Sequence, residues 1–232
     1  MIKLKKAQVT KYKSIDDSTN VSIDEKVTTL VGQNESGKTG FLEALDKTLS
    51  AENNKFDVVS DYPRKDVSSY KKRHATDPDE VVKLEFELDE STLKKINTQV
   101  FEGAEVIKGP LTFTYTKKYD DSTLISLSNF DKPFIDHYKK IFKDIKKGTE
   151  AFNNTKVKDL LATLESQEVD PESKVGIFLK NWQELLKGQS ASWADAIGWY
   201  VWTKIISPSL PRFAYFDDYK LLAAKVNLPS LK

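Results

Sequence analysis

Residues 30–45, LVGQNESGKTGFLEAL, contain glycine, lysine and threonine at the spacing of a phosphate-binding loop, G-x-x-x-x-G-K-T. Gly32 and Gly37 let the backbone curl so that successive N–H groups point at phosphate oxygens, and the dipole of a following helix also favours an anion. Lys38 would reach the β- and γ-phosphates of a nucleoside triphosphate, and the Thr39 hydroxyl would bind Mg²⁺. The spacing therefore predicts a nucleotide-binding site.

The segments on either side of the loop have the patterns that such a site needs. The run VTTLVG before the loop predicts a strand, and KKAQVTKYKSI and STNVSIDEKVTTLVG together predict an antiparallel pair. After the loop, residues 39–49 place Phe41, Leu42, Leu45 and Leu49 on one helical face. A strand, loop and helix in this order favour a working phosphate loop over a chance match.

The ligand is expected to be ATP, with Mg²⁺, rather than GTP. A guanine-type motif, NKFD at residues 54–57, follows the phosphate loop too closely to form a base pocket. The DAIG at residues 195–198 follows NKFD, which is the wrong order for a GTPase. Both are interpreted as chance matches.

Three further strands and a series of helices are predicted beyond the loop. VVKLEFELDE alternates apolar and polar residues, and LTFTYTKKY with TLISLS predicts a hairpin. Residues 51–80 are polar and rich in turn formers, so they are expected to form a long surface loop. Helical spacing begins after Asp131 and recurs at residues 156–167, 172–187 and 192–206. A last strand, RFAYFDDYKLL, follows two prolines.

Composition narrows the class of protein. The 232 residues are 39% hydrophobic and 31% charged, with a formal net charge of +1. No cysteine is present, which excludes disulfides and cysteine-based zinc sites or nucleophiles. No apolar run approaches the ~20 residues of a membrane helix, so no membrane partner and a cytoplasmic location are expected. Lysines cluster at residues 1–13, 71–74 and 137–147, and ordinary solvated faces account for them more simply than nucleic-acid contact.

The histidines and tryptophans are weak candidates for chemistry. His74 and His137 are far apart, and each lies in a lysine-rich stretch, so neither is expected to be catalytic or metal-binding. The four tryptophans have helical spacings, which favour packing in a core or interface over base stacking; they are Trp182, Trp193, Trp199 and Trp202.

The loop variant G-Q-N-E-S-G-K-T, preceded by the short element Tyr12-Lys13-Ser14, resembles the ATP-binding heads of the SMC, RecF and OLD group of ABC-type ATPases. YPR at residues 62–64 and PRFAYFDDYKLL near the end look like segments of the OLD-like ATPases, many of which serve in anti-phage defence. The resemblance implies an α/β fold: a P-loop NTPase of the ABC-ATPase-like head type, with an antiparallel β subdomain and a helical segment.

The resemblance also implies roles for individual residues. Residues between Lys11 and Ser14 would approach the base or phosphates, and a second protomer would complete the site. Asp217, at the end of FAYFDD, would bind Mg²⁺ or water, or would instead have a structural role at the base of an arm. The residues expected to bind ATP are Lys11, Tyr12, Lys13, Gly32, Gln33, Asn34, Glu35, Ser36, Gly37, Lys38, Thr39 and Gly40, with Lys38 also catalytic and Thr39 and Asp217 binding the metal.

The sequence departs from this group at two points. It has no LSGG-type signature, for which LKGQ at residues 186–189 is a weak substitute, and the acidic cluster of a Toprim nuclease is not recognisable. The chain is therefore expected to be the N-terminal part of a longer ATPase. The expected divisions are a nucleotide-binding β-rich lobe at 1–130, a helical segment at 131–207, and a strand and tail at 208–232.

Two functions of different classes remain open. One is an ATPase head that forms a dimer or larger homo-oligomer around ATP and couples ATP to engagement of double-stranded DNA, with nuclease chemistry in another domain or partner chain. The other is a non-hydrolysing scaffold, ordered by ATP, for a partner effector. A small-molecule kinase fits poorly, because such kinases need a lid with arginines and only three arginines are present.

Overall fold

The computed structural model describes residues 2–143 and 149–216. Its centre is an antiparallel sheet in the order β2-β1-β4-β5-β6, with a short strand β3 also paired to β1. The strands are β1 (Lys3–Tyr12), β2 (Ile15–Asp17), β3 (Val21–Ser22), β4 (Glu80–Leu88), β5 (Leu111–Lys118) and β6 (Thr123–Ser126). The predicted alternating strand and the predicted hairpin are both confirmed.

Eight α-helices lie in the described residues. They are α1 (Lys38–Thr48), α2 (Val58–Asp61), α3 (Val67–Lys71), α4 (Glu90–Val100), α5 (Asp131–Ile141), α6 (Val157–Ser166), α7 (Lys174–Leu185) and α8 (Ala196–Val201). A π-helical turn, Trp202–Ile206, continues α8, and 3₁₀ turns form at Thr149–Asn153 and Ser207–Ser209. The mixed α/β fold, with its antiparallel sheet and helical segment, confirms the predicted fold class.

Helix α1 lies on the sheet through one face. Phe41 and Ala44 are buried there, and Gly40 lies over Tyr12, since a Cβ at Gly40 would come 3.7 Å from the Tyr12 Cδ1 atom. Leu42, which the helical pattern predicts to lie on the same face, is exposed instead, so this part of the prediction was wrong. Residues 31–36 are exposed, so the phosphate loop lies at the edge of the described fold.

The helices after residue 131 pack around aromatic side chains. Phe134, Tyr138, Phe178 and Trp182 form a buried cluster, in which Phe134 and Trp182 meet edge to face at 4.7 Å. Trp202 contacts Phe113 of β5 edge to face at 5.8 Å, so the helical segment rests on the sheet. The division into segments at residues 130 and 207 stays a prediction.

Three further local predictions were wrong. Residues 51–80 are not one surface loop, because α2 and α3 bury Tyr62 and Tyr70 as a stacked pair with ring centres 4.1 Å apart. Helix 192–206 is shorter and begins at Ala196, where the Asp195 side chain accepts a hydrogen bond from the Gly198 N–H. VTTLVG, at residues 27–32, forms no strand, because the last strand before the loop in the described residues, β3, ends at Ser22.

Candidate nucleotide-binding site

The phosphate loop is held open by two residues in the left-handed backbone region. Gly37 has φ of 91° and Glu35 has φ of 65°. A Cβ at Gly37 would lie 2.8 Å from Ile15 Cγ1 and 3.6 Å from the Ser14 hydroxyl oxygen. Glycine is therefore required at residue 37 both for the backbone conformation and for the close approach of the β1–β2 hairpin.

The start of α1 presents a row of unused hydrogen-bond donors. The N–H groups of Gly37, Lys38, Thr39 and Gly40 have no acceptor among the residues that the structure describes, and no side chain caps the helix. No acidic residue lies in the first turn of α1. An 11-residue helix with free N–H groups at its positive end is suited to bind an anion such as a phosphate.

The Lys38 side chain folds back over the loop. Its ammonium donates hydrogen bonds to the carbonyl oxygens of Gly32 and Gln33 at 2.9 and 2.6 Å, and to the Ser36 hydroxyl at 3.3 Å. These contacts hold the charge beside the free N–H groups. Gly32, Gln33 and Ser36 thus contact Lys38 directly, and a Cβ at Gly32 would lie 2.8 Å from the Ser36 hydroxyl oxygen.

A two-residue turn between β1 and β2 forms the opposite wall of the site. Tyr12 pairs with Ile15, so Lys13 and Ser14 project from the turn over the loop. Lys13 has a left-handed φ of 50°, and its N–H donates to the Asp61 carbonyl oxygen at 2.6 Å, which fixes the turn. The resulting cavity has a volume of about 530 Å³ and is lined by Lys13, Ser14, Asn34, Glu35, Gly37, Lys38, Thr39 and Gly40.

Ser14 was missing from the predicted ATP-binding residues. Its hydroxyl lies in the same cavity as the Lys38 ammonium and the Thr39 hydroxyl. The sequence predicts Ser14 to lie within the strand KKAQVTKYKSI, but the chain turns between Tyr12 and Ile15, which exposes both central residues of the turn.

Two predicted ligand-binding residues do not line this cavity. Tyr12 is fully buried; its ring lies edge-on to Phe56 at 5.9 Å, and burial strongly raises the pKa of its hydroxyl. Lys11 extends away from the loop toward the carboxylates of Asp16 and Asp66, at 3.6 and 3.8 Å. Consecutive residues of a strand point to opposite sides. Here one side is the core, which holds Tyr12, and the other side carries the carboxylates that Lys11 meets, so neither side chain faces the nucleotide site.

A buried ion pair anchors α1 beneath the site. The Lys47 ammonium donates to both carboxylate oxygens of Asp61 at 2.8 and 2.7 Å, and Asp61 is 1% exposed. Asp61 also accepts the Asp57 N–H at 2.8 Å. Since the Asp61 carbonyl oxygen holds Lys13, this pair couples the end of α1 to the turn that faces the loop.

The segment leading into the loop is exposed and unpaired. Val27 and Val31 are 74% and 87% exposed, and the backbone groups of Thr29, Leu30 and Val31 make no hydrogen bond with the described residues. These are β-branched and apolar residues of the kind that form strands. The segment therefore has the composition of a strand without a neighbour to pair with.

Only one of the two residues predicted to bind the metal lies in the described part of the chain. The Thr39 hydroxyl lies in the cavity, while Asp217 lies outside the described residues. Within the described ranges, no group of three or more histidine and acidic residues could hold a metal ion. The cavity is also lined by Asn34, by Glu35 and by Lys13, whose ammonium pairs with Glu43 of α1.

A model of the AAA ATPase domain matches residues 2–156, which include the loop, the hairpin turn and the whole antiparallel sheet. The chain belongs to the AAA ATPase domain family. An AAA ATPase domain binds a nucleotide, and in this one the loop at residues 32–39 is the segment with the required residues.

Other comparisons add little to that family assignment. A search of curated proteins found no match. One solved structure, from a study titled "Structural biochemistry of ATP-driven dimerization and DNA stimulated activation of SMC ATPases", is 13% identical over 76% of this chain and 98% of its own. Its TM-score of 0.28 is too low to support an argument about this AAA ATPase domain. In the described part of the chain, no helix combines the length and apolarity needed to cross a membrane.

Proposed function

We propose that this chain is the ATP-binding head of an OLD-like ABC-type ATPase. In this proposal it dimerises or forms a larger homo-oligomer around MgATP and couples ATP binding and hydrolysis to DNA engagement, in anti-phage defence with the nuclease chemistry elsewhere. The assignment to the OLD group rests on the resemblance of the loop and of residues 62–64 and 211–222.

The observation that carries the proposal is the set of free N–H groups at Gly37 to Gly40 beside the Lys38 ammonium. The N–H groups would bind phosphate oxygens, Lys38 would neutralise the β- and γ-phosphates, and Thr39 would hold Mg²⁺. Bound MgATP would supply the phosphoanhydride to be hydrolysed. Lys13 and Ser14 would contact the nucleotide from the turn. Of the predicted binding residues Lys11, Tyr12 and Lys13, the proposal therefore keeps only Lys13.

Assembly is supported by the one-sided structure of the site. The loop lies at the edge of the described fold, and the segment leading to it has exposed Val27 and Val31 side chains and, at residues 29–31, backbone groups that make no hydrogen bond with the described residues. An exposed segment of this kind readily accepts another strand. We therefore assign completion of the site to further polypeptide, supplied by a second protomer or another part of a longer chain.

The described end of the chain supports Asp217 as the metal-binding acid. Phe213 pairs with Ser50 in parallel, and the Tyr215 N–H donates to Asp46 of α1 at 3.1 Å. Residues 213–215 thus run from the C-terminal end of α1 toward its N-terminus, where Thr39 lies. Asp217 is two residues further on in the sequence.

The test combines MgATP turnover with a binding titration and light scattering on the wild type, Lys38→Ala and Asp217→Asn. The proposal expects binding that depends on Lys38, turnover that depends on both residues, and a rise in mass when ATP is added. ATP binding with no turnover and a rise in mass would favour the non-hydrolysing scaffold. Absence of ATP binding to the wild type would contradict both functions.

A further inference from the structure

A groove outside the phosphate-loop cavity runs between the β5–β6 hairpin and the end of the described chain. It consists of two adjoining cavities of about 410 and 280 Å³, which share Leu49, Tyr115 and Arg212 in their walls. None of these residues lines the phosphate-loop cavity. The groove is therefore a separate candidate site.

One half of the groove is aromatic. The rings of Trp193 and Trp202 are nearly parallel, with an interplanar angle of 25° and centres 6.5 Å apart, and Tyr115 lies 6.4 Å from Trp202. Trp193 and Trp202 are both half-buried, unlike Trp182, which is 4% exposed inside the helical cluster. Indole faces in a groove offer stacking surfaces for planar rings.

The other half of the groove carries positive charge that has no ion-pair partner among the described residues. Arg212 is exposed, its Nη1 donates to the Ser50 carbonyl oxygen at 3.3 Å, and it makes no ion pair with a described carboxylate. Lys55 is also exposed and has no hydrogen-bond or ion-pair partner among the described residues. Lys47 and Lys117, by contrast, face Asp61 and Asp121.

We propose that this groove, which we call the Trp193–Arg212 groove, binds single-stranded nucleic acid. The indole rings would stack on unpaired bases, while Arg212 and Lys55 would contact phosphates; this combination is typical of single-strand binding sites. A duplex keeps its bases stacked on each other, so it would use the cations and leave the tryptophans unused. The groove would identify the form of nucleic acid that the protein engages in the proposed function, and its biological role rests on that proposed function. The contacts of the groove with bases and phosphates do not themselves require ATP.

The binding test uses a fluorescein-labelled oligothymidylate of about 12 nucleotides, measured by fluorescence anisotropy at about 50 mM salt, together with quenching of tryptophan emission. The wild type should bind and show quenching. Arg212→Gln and Trp193→Leu should each weaken binding by about tenfold, and Trp193→Leu should also reduce the quenching. Trp193 is preferred to Trp202 because Trp202 also packs against Phe113 in the core.

Matched controls separate the groove from general charge and folding effects. Arg64→Gln removes the same charge from another exposed arginine, and Trp199→Phe alters a half-buried tryptophan outside the groove. Both should bind within about twofold of the wild type, with thermal unfolding transitions like those of the groove variants. Lys38→Ala should lose ATP binding but retain the oligonucleotide, so failure of the groove is distinguishable from failure of the phosphate loop.

Three results would overturn the proposal. The first is no binding of the single strand by the wild type at low salt. The second is equal affinity for the wild type, Arg212→Gln and Trp193→Leu. The third is that a duplex of the same length binds more tightly than the single strand and that this binding is lost in Lys139→Glu/Lys140→Glu. Those lysines lie on α5, outside the groove, so the nucleic acid would then bind elsewhere.

Discussion

The Lys38 ammonium lies 2.6 Å from the Gln33 carbonyl oxygen, so the central cation of the phosphate loop is held by the backbone of that loop. The same ammonium contacts Gly32 and Ser36. Lys38 therefore has two consequences for the site: it places a positive charge beside the free N–H groups of α1, and it ties the two ends of the loop together.

Lys38→Ala should abolish tight MgATP binding. The substitution removes charge-assisted hydrogen bonds worth about 1.5–3 kcal/mol each, so affinity should fall by at least about a hundredfold. Isothermal titration calorimetry measures the change, and a parallel urea titration checks that the protein remains folded. Unchanged affinity would show that the nucleotide does not bind at this loop.

Gly37→Ala should destabilise the protein and impair ATP binding together. The left-handed backbone at residue 37 disfavours a side chain by about 1–2 kcal/mol, and the new methyl group would also press on Ile15 at 2.8 Å. The control is Gly103→Ala, where φ is 86° but nothing lies within 4 Å of the new Cβ. Urea unfolding should show a larger loss at Gly37 than at Gly103, and equal losses would mean that contact with Ile15 is unimportant.

Lys13 and Lys11 should differ in their effect on nucleotide affinity. Lys13→Gln removes a lysine that lines the cavity and whose ammonium pairs with Glu43 of α1; a bound triphosphate would compete with Glu43 for that charge, so ATP binding should weaken by about tenfold. Lys11→Gln removes a charge directed at Asp16 and Asp66 and should leave affinity within about twofold of the wild type. Titration of both variants with MgATP measures the two affinities. A larger loss of affinity in Lys11→Gln would support the sequence-based prediction that Lys11 binds the nucleotide.

The contribution of one buried carboxyl group on α5 to the free energy of unfolding should fall as pH rises toward neutrality. Asp131 is 1% exposed, and its two oxygens accept the N–H groups of Val157 and Ile197, both at 2.9 Å. Burial, together with a hydrogen bond to Asp195, raises the pKa of Asp131 to about 7. In the unfolded chain the pKa of an aspartate is about 3.9, so the folded state favours the protonated form.

The sign follows from linkage. The stabilisation from protonated Asp131 is full below about pH 4 and is lost as pH rises through about 7, by up to about 4 kcal/mol. Urea unfolding of the wild type and of Asp131→Asn should be measured across this pH range. The free energy of unfolding should decline less with rising pH in the variant, although the variant is less stable than the wild type at acid pH. Asp136→Asn, an exposed site on the same helix, should keep the slope of the wild type. Parallel slopes for all three proteins would exclude Asp131 as the titrating group.

Short-range patterns in the sequence determined much of the site. The spacing of Gly32, Gly37, Lys38 and Thr39 identified the loop because the backbone conformation and the donors are properties of adjacent residues. The alternating residues 82–88 identified β4 for the same reason, since strand periodicity is local. The β5–β6 hairpin was likewise predictable from its two runs and the turn between them.

Only the tertiary structure decided which side chains meet. It placed Ser14 in the cavity and Tyr12 in the core, because the register of the β1–β2 hairpin fixes which residues face α1. It also left residues 29–31 without a backbone hydrogen-bond partner among the described residues, although their composition is that of a strand, because a strand exists only where another backbone is available to pair with it. The sequence by itself determined the phosphate-binding chemistry; long-range packing decided which residues surround it and which surface stays open.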